Sequence, residues 1–448
     1  MRFSPSLLAL ALLLARPAPA QEPPIEAPPP ASTTDADVPA DDAEAEEDAG
    51  TDVPLEEIKR YVAVYKAIKD AYVEPVDDKA LMGAAIRGLL LDLDPHSAYL
   101  DRDDAEAFDE DTSGAYDGIG VEVQQLPDGK VKVIAPIDDT PAARAGVKAG
   151  DTIIAVDGKP LTPATAAGQG PLRGKPGSTV ELTIAREGAP KPLKISVTRD
   201  TIRIASVHGR MLEPGYAYIR ISAFQADTAA DFEKTIKRLQ AGAGNGLRGL
   251  VLDLRSNPGG LLTTAVQIAD DLLDEGGIVS TRGRTPISDT SFSATPGDLM
   301  RGAPVVVLVD AGSASASEVL AGALHDNKRA RVVGSRTFGK GSVQTVMELD
   351  NGDSVKLTTA RYYTPSGKSI QARGIEPDVV LQPEDGDQGE ATDAGYAEAL
   401  LPGHLHGDEE VAGSNAGEVL DGDAPIAAAL AELKKRVTTA KGAAPGRN

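Results

Sequence analysis

Residues 304–309 read Pro-Val-Val-Val-Leu-Val. An unbroken apolar, β-branched run this short fits a strand buried on both faces, as in a parallel sheet. It stops at Asp310-Ala311-Gly312. Ser313-Ala314-Ser315-Ala316-Ser317-Glu318 follows, and then Val319, Leu320, Ala323 and Leu324 recur at helical spacing. Strand, glycine turn and helix start commit this part of the chain to an α/β layer, and the same sequence of elements is a way to present a nucleophile. The first N–H groups of such a helix lack intrahelical partners, and the dipole there favours negative charge. Ser313, Ser315 and Ser317 are all candidates for the activated hydroxyl; spacing does not choose among them.

A serine needs a base. His325 is too far along the helix to reach Ser315, about 15 Å at ~1.5 Å per residue. Lys340, in Thr337-Phe338-Gly339-Lys340-Gly341-Ser342-Val343-Gln344, is the better candidate. Its amine becomes a base near neutrality only if burial lowers a pKa that is ~10.4 in water. On an extended strand, Lys340 and Gln344 share a face, so Gln344 is expected to orient the amine.

GSASASE followed by AGALHDNKRARVVGSRTFGKGSVQ closely resembles the carboxyl-terminal processing proteases, a serine–lysine peptidase family with an embedded PDZ domain. That resemblance implies Ser315 as nucleophile, Lys340 as general base and Gln344 as its positioning partner. A second signature, LDLRSNPGG, begins within the expected buried strand 249–255, GLVLDLR. Its glycines permit close backbone approach to a scissile carbonyl, so the Gly259 or Gly260 N–H joins that of Ala316 as the expected oxyanion hole. The strings LDPHSAYL, YYTPSGKSIQ and GIEPD extend the likeness over residues 55–380. His96, within LDPHSAYL, is read as a turn or packing residue. The implied fold is α/β: a crotonase-like protease core with an inserted, mainly β PDZ domain and an N-terminal helical segment.

A net charge of −23 argues against a nucleic-acid partner, which needs a basic face. The absence of cysteine excludes disulfides and thiolate metal sites. The five histidines read as scattered, with no ligand spacing, so neither metal nor organic cofactor is expected. Arg2, the apolar stretch 7–14 and Ala18-Pro19-Ala20 read as a signal peptide at 1–20. Its apolar core is too short to span a bilayer. The mature chain is expected to be soluble, exported and periplasmic, with no transmembrane segment.

An acidic, proline-rich linker is expected at 21–52. Two amphipathic helices follow within a segment 53–104, which the resemblance links to dimerisation. Residues 105–200 alternate like strands and contain PAARAGVKAGD ahead of an Asp157-Gly158 hairpin, the look of a bacterial PDZ domain. Such domains add a peptide C-terminus as a strand and hold its carboxylate on backbone N–H groups. Gly118-Ile119-Gly120 is the expected carboxylate loop, with Ile119 as a pocket wall. The groove helix falls on TPATAAGQGPL (162–172), a poor helical sequence. Arg173 matches an arginine that the family uses to couple the PDZ domain to the active site. The protease core is expected over 201–382, then an acidic, mobile tail and a final helix within 383–448.

The partners implied are protein or peptide substrates with free, unstructured C-termini, a second copy of the chain in a homodimer or larger homo-oligomer, and an activating adaptor. Rival readings are a catalytically silent PDZ scaffold or chaperone, a trypsin-like PDZ protease and an acyl-CoA enzyme. The trypsin-like order places its PDZ domain after the catalytic core, the reverse of this chain, and a PDZ insertion fits no acyl-CoA enzyme.

Overall fold

The computed structural model describes residues 53–163, 170–244, 246–382, 397–410 and 417–442. The expected signal peptide and linker, most of the expected groove helix and parts of the expected tail lie outside them. The chain forms two compact units, Met1–Pro75 and Val76–Asn448. The first contributes the helix Leu55–Ala71, with Glu56 and Glu57 in its first turn and Lys69 in its last, as the helix dipole favours. None of its residues is buried, and Leu55, Ile58, Val62 and Val64 are exposed.

The second unit is built on a six-stranded sheet. Its order is Val207–Glu213, Tyr216–Ile221, Gly249–Asp253, Val305–Val309, Ala330–Gly334 and Val379–Val380. Only the first pair is antiparallel. Both faces of this sheet are covered, which is why its strands read as unbroken apolar runs. Ala217, Ile219, Leu250, Leu252, Val305 and Val307 face a core shared with the helices Thr228–Gly242, Leu262–Leu272 and Ala316–Asp326. Tyr216, Tyr218, Val251, Val306 and Leu308 pack on the other side against Ile426, Ala429, Leu433 and Val437 of the final helix, Ala424–Gly442. That helix is docked on its own core.

A second, antiparallel sheet runs Ala98–Leu100, Ser354–Tyr363, Gly277–Gly283, Thr290–Ser293, with Ser342–Glu348 also paired to Ser354–Tyr363. Thr290–Ser293 forms one edge of this sheet.

The inserted domain is a β-sheet of Val121–Gln125, Val131–Pro136, Thr152–Val156, Thr179–Ala185 and Leu193–Thr198, with Lys159–Pro160 paired at the Asp157-Gly158 turn. Asp157 and Gly158 both have positive φ, 48° and 75°, as this tight hairpin requires. Ahead of it lies the helix Arg102–Ser113, which sequence patterning did not anticipate. Its sequence is so acidic that no apolar stripe is visible. The Asp101 side chain caps it by accepting from the N–H groups of Asp103 and Asp104.

The expected mobile tail is a further difference. Glu398 and Leu420 are buried, the Ala311 N–H donates to the Glu418 carbonyl, and the Leu420 N–H donates to Asp310. Acid-rich composition hid these anchors because their partners lie far away in sequence. Among the described residues, no helix is long and apolar enough to cross a membrane.

Candidate active site

Ser315 stands immediately before helix Ala316–Asp326, with φ 52° and ψ −113°. A non-glycine residue held in so rare a conformation stores about 1–3 kcal/mol and persists only where its surroundings over-determine it. Those surroundings are dense. The Ser313 hydroxyl donates to the Leu254 carbonyl at 2.8 Å and accepts the Asp310 N–H at 3.0 Å. The Ser317 hydroxyl donates to the Asn257 carbonyl at 2.9 Å. Both side chains are fully buried. Ser315, which opens the helix in a capping box with Glu318, is the one of the three candidate serines whose side chain lies beside the Tyr362 phenol. Burial pushes the Tyr362 phenol up to about 12, so it stays protonated beside Ser315.

Residues 257–260 lie directly against the serine. A Cβ on Gly259 would sit 2.9 Å from the Ser315 Cβ and 2.9 Å from the Ala314 carbonyl oxygen, so only glycine fits. The Gly259 N–H is occupied by the Asn257 Oδ1 at 2.9 Å. Phe224 bridges the flanks of Gly260: its N–H donates to the Gly259 carbonyl and its carbonyl accepts from Leu261. Among the described residues, the N–H groups of Gly260 and Ala316 have no acceptor.

Lys340 is brought to the serine by one carboxylate. Glu318, fully buried in the first turn of the helix, accepts from the N–H of Ser315 at 2.8 Å, Gly339 at 2.7 Å and Lys340 at 2.9 Å, and from the Thr337 hydroxyl at 2.5 Å. Burial nevertheless outweighs the pull of these four donors and pushes its pKa up to about 7. The Lys340 ammonium is partly buried, and this desolvation lowers its pKa; the charge of Lys356 acts the same way, while Glu398, Glu318 and Asp94 oppose it. Among the described residues its Nζ makes neither a hydrogen bond nor an ion pair.

Gln344 departs from the expected geometry. Lys340 precedes the strand Ser342–Glu348, and a bulge falls between Val343 and Gln344, so the simple same-face argument does not apply. The Gln344 NH2 donates to Ser342 at 2.9 Å and Thr358 at 3.2 Å. Its amide oxygen accepts no hydrogen bond among the described residues.

The peptidase family S41 profile matches residues 215–381, which contain all of these groups, and a PDZ profile matches 118–197. A profile described as the activating protease CtpB N-terminal domain matches 28–104. A carboxy-terminal-processing protease of Bartonella bacilliformis is 43% identical over 79% of this chain and 82% of its own length. This chain belongs to the carboxy-terminal processing proteases of family S41. The Bacillus subtilis carboxy-terminal processing protease CtpA is 36% identical over 70% of this chain and 67% of its own. Among solved structures, the photosystem II D1 C-terminal processing protease is 33% identical, with 74% of this chain and 94% of that chain covered at a TM-score of 0.43.

In the PDZ domain of this processing protease, Gly118 ends the strand Ala115–Gly118 and Gly120 has φ 78°. The Ile119 side chain is 1% exposed and lies in the domain's hydrophobic core, so it is not the pocket wall expected of it. Apolar character at a loop position does not reveal which way the side chain turns. Among the described residues, the strand Val121–Gln125 pairs only with Val131–Pro136, and its other edge carries no strand. Arg173 lies away from Ser315. Its guanidinium stacks 3.8 Å above the Tyr116 ring and pairs with Glu110 of the acidic helix at 3.0 Å.

Three groups escaped the sequence reading. Tyr362 sits within YYTPSGKSIQ, but nothing local pairs it with Ser315. His96, read as a turn residue, places its Nε2 2.8 Å from the buried Glu398. Glu398 in turn donates its N–H to the Phe338 carbonyl, next to the lysine loop. Lastly, His404 and His406, read as scattered, converge with Glu410. That His-x-His-x3-Glu spacing is itself a visible signal.

Proposed function

We propose that this processing protease is a serine-type endopeptidase acting outside the cytoplasmic membrane, with Ser315 as nucleophile and Lys340 as general base. The observation that carries the reading is Glu318: one buried carboxylate gathers the backbones of Ser315, Gly339 and Lys340 and so sets the serine and the lysine side by side.

The steps balance without a cofactor. Neutral Lys340 takes the Ser315 proton as Oγ attacks the scissile carbonyl carbon. The N–H groups of Gly260 and Ala316 bind the resulting oxyanion, while Gly259, already bonded to Asn257, shapes the approach. The ammonium returns its proton to the leaving amine. Water then attacks the acyl-serine, giving one proton to Lys340, which returns it to Ser315 Oγ as the ester bond breaks; the carboxylic acid is released and the neutral amine is restored. Gln344 offers its free amide oxygen to the lysine amine.

The PDZ domain takes an unstructured C-terminus on the open edge of Val121–Gln125, with the Gly118-Ile119-Gly120 backbone at its carboxylate. Arg173 couples that domain to the acidic helix, so an adaptor or substrate reaching it regulates the protease. The exposed apolar residues of Leu55–Ala71 and Asp78–Leu91 supply a homodimer contact.

The test is cleavage of an unfolded model protein by the chain starting at Gln21, beside Ser315→Ala and Lys340→Ala. Activity in the wild type alone is the expected result. Cleavage surviving Ser315→Ala would sink the mechanism, and equal inactivity of all three would favour a binding scaffold.

A further inference from the structure

The segment 397–410 has little secondary structure beyond the turn Glu398–Leu400, yet it braces the lysine loop. Gln371 donates from Nε2 to both Glu398 Oε1 and the Leu405 carbonyl, at 2.9 Å each, while its Oε1 accepts the Gly341 N–H at 3.0 Å. What closes this segment on itself is the cluster at its end.

His404, His406 and Glu410 each present a ligand atom within 4.8 Å of the others. The His404 Nδ1 is 3.0 Å from the Leu401 carbonyl oxygen. A carbonyl only accepts, so Nδ1 carries the proton and the neutral ring has its lone pair on Nε2. That Nε2 points at Glu410 Oε1, 3.0 Å away. Two acceptors therefore face each other, and positive charge belongs between them: a second ring proton or a metal ion. A histidine whose far nitrogen is tied to a backbone carbonyl is the arrangement found at metal ligands. The His406 Nδ1 lies 2.9 Å from the other carboxylate oxygen, Oε2. Both separations are close to the edge of a tetrahedron drawn with zinc bonds of ~2.0–2.1 Å, about 3.3 Å.

The adjacent acids are already engaged. Asp408 accepts from the Tyr363 hydroxyl at 2.9 Å, and Glu409 pairs with Arg373 at 2.5 Å. Glu410 alone turns to the imidazoles, and the exposed side of His406 leaves a coordination position open to water. We propose that His404, His406 and Glu410 bind a divalent transition-metal ion, zinc foremost, which clasps the segment 397–410 against the loop that carries Lys340. Two nitrogens and one carboxylate oxygen suit zinc rather than calcium or magnesium. The binding half of this proposal does not depend on the protease reading.

The test is titration of Zn2+ into the metal-free chain, competed against a chromophoric chelator. One Zn2+ per chain with a Kd of about 1 μM or tighter is expected. Glu410→Gln and His406→Ala should each weaken it by at least the ~10–100-fold that loss of even an outer-sphere partner costs. His406 is 85% exposed at its side chain, so its replacement leaves folding intact. His208→Ala, on the exposed strand Val207–Glu213, should change nothing. Absence of binding in this range, or binding undiminished in His406→Ala, overturns the site. Zinc should also slow amide exchange at 397–410 and 337–341 in the wild type and not in His406→Ala. Binding without that protection overturns the clasp.

Discussion

The two halves of the active site are held in different ways. On the side of Ser315, the hydroxyls of Ser313 and Ser317, the Ala314 N–H and the Asp310 carboxylate all bond across between the loops 254–260 and 310–317, and glycine at 259 lets the two loops touch. On the side of Lys340, the backbone is clamped by Glu318, but among the described residues the amine has no partner and Gln344 bonds elsewhere. The proposed nucleophile is therefore oriented before anything binds, while the proposed base keeps rotamer freedom that an incoming substrate would have to remove.

This contrast can be broken experimentally. The largest expected effect is Lys340→Ala, which should lower kcat/KM by about 10^4-fold or more, matching Ser315→Ala, because residues acting as a unit are non-additive. A small loss for Lys340→Ala would mean that the free amine is not the base. Next is Glu318→Ala. It orphans buried N–H groups on both halves, each worth about 1–3 kcal/mol, so denaturant unfolding should show several kcal/mol of lost stability together with lost activity. Tyr362→Phe removes only the contact to Ser315 and should cost about 1 kcal/mol in transition-state stabilisation, roughly fivefold in rate. Gln344→Ala should lower kcat by a similar factor, since one neutral hydrogen bond is worth about 1 kcal/mol, and lower the melting temperature modestly through the lost bonds to Ser342 and Thr358.

Acid–base behaviour gives the smallest but sharpest tests. Lys340 works only when neutral, so kcat/KM should rise with pH along a limb lying below the ordinary 10.5. Lys356→Met removes a like charge that helps depress Lys340, and the limb should move to higher pH; a limb that stays put would exclude Lys340 as its source. Glu318 has a folded-state pKa of about 7, above its ordinary 4.5. The folded protein thus holds this proton more tightly than the unfolded chain. The associated stability is fully present below about 4.5 and is lost as pH rises through about 7. Glu318→Gln should flatten that part of the stability profile.

The sheet was legible from sequence because both its faces are buried, and strands such as 304–309 and the start of 249–255 carry no polar interruption. The serine motif was legible as a place but not as a residue: Ser313 and Ser317 are assigned to scaffolding by the Leu254 and Asn257 carbonyls, which no local pattern reveals. Gln344 was placed by strand alternation, and the bulge at Val343/Gln344 undid the geometry. The helix Arg102–Ser113 and the buried Glu398 were hidden for a common reason. Acidic sequence reads as solvated, and only the folded chain supplies Arg173, His96 and Gln371 as partners.

The stitches from the C-terminal segments have a consequence for timing. Arg255 donates to the Leu420 and Gly422 carbonyls, the Ser335 hydroxyl donates to the Glu418 carbonyl, and Glu398 underpins the loop beside Lys340. Chains emerge from the ribosome N-terminus first, and domains fold in that order. The PDZ domain can therefore be complete while the loops around Ser315 and Lys340 still lack their last supports. Until residues 398–422 are in place, the loops around Ser315 and Lys340 lack these bonds.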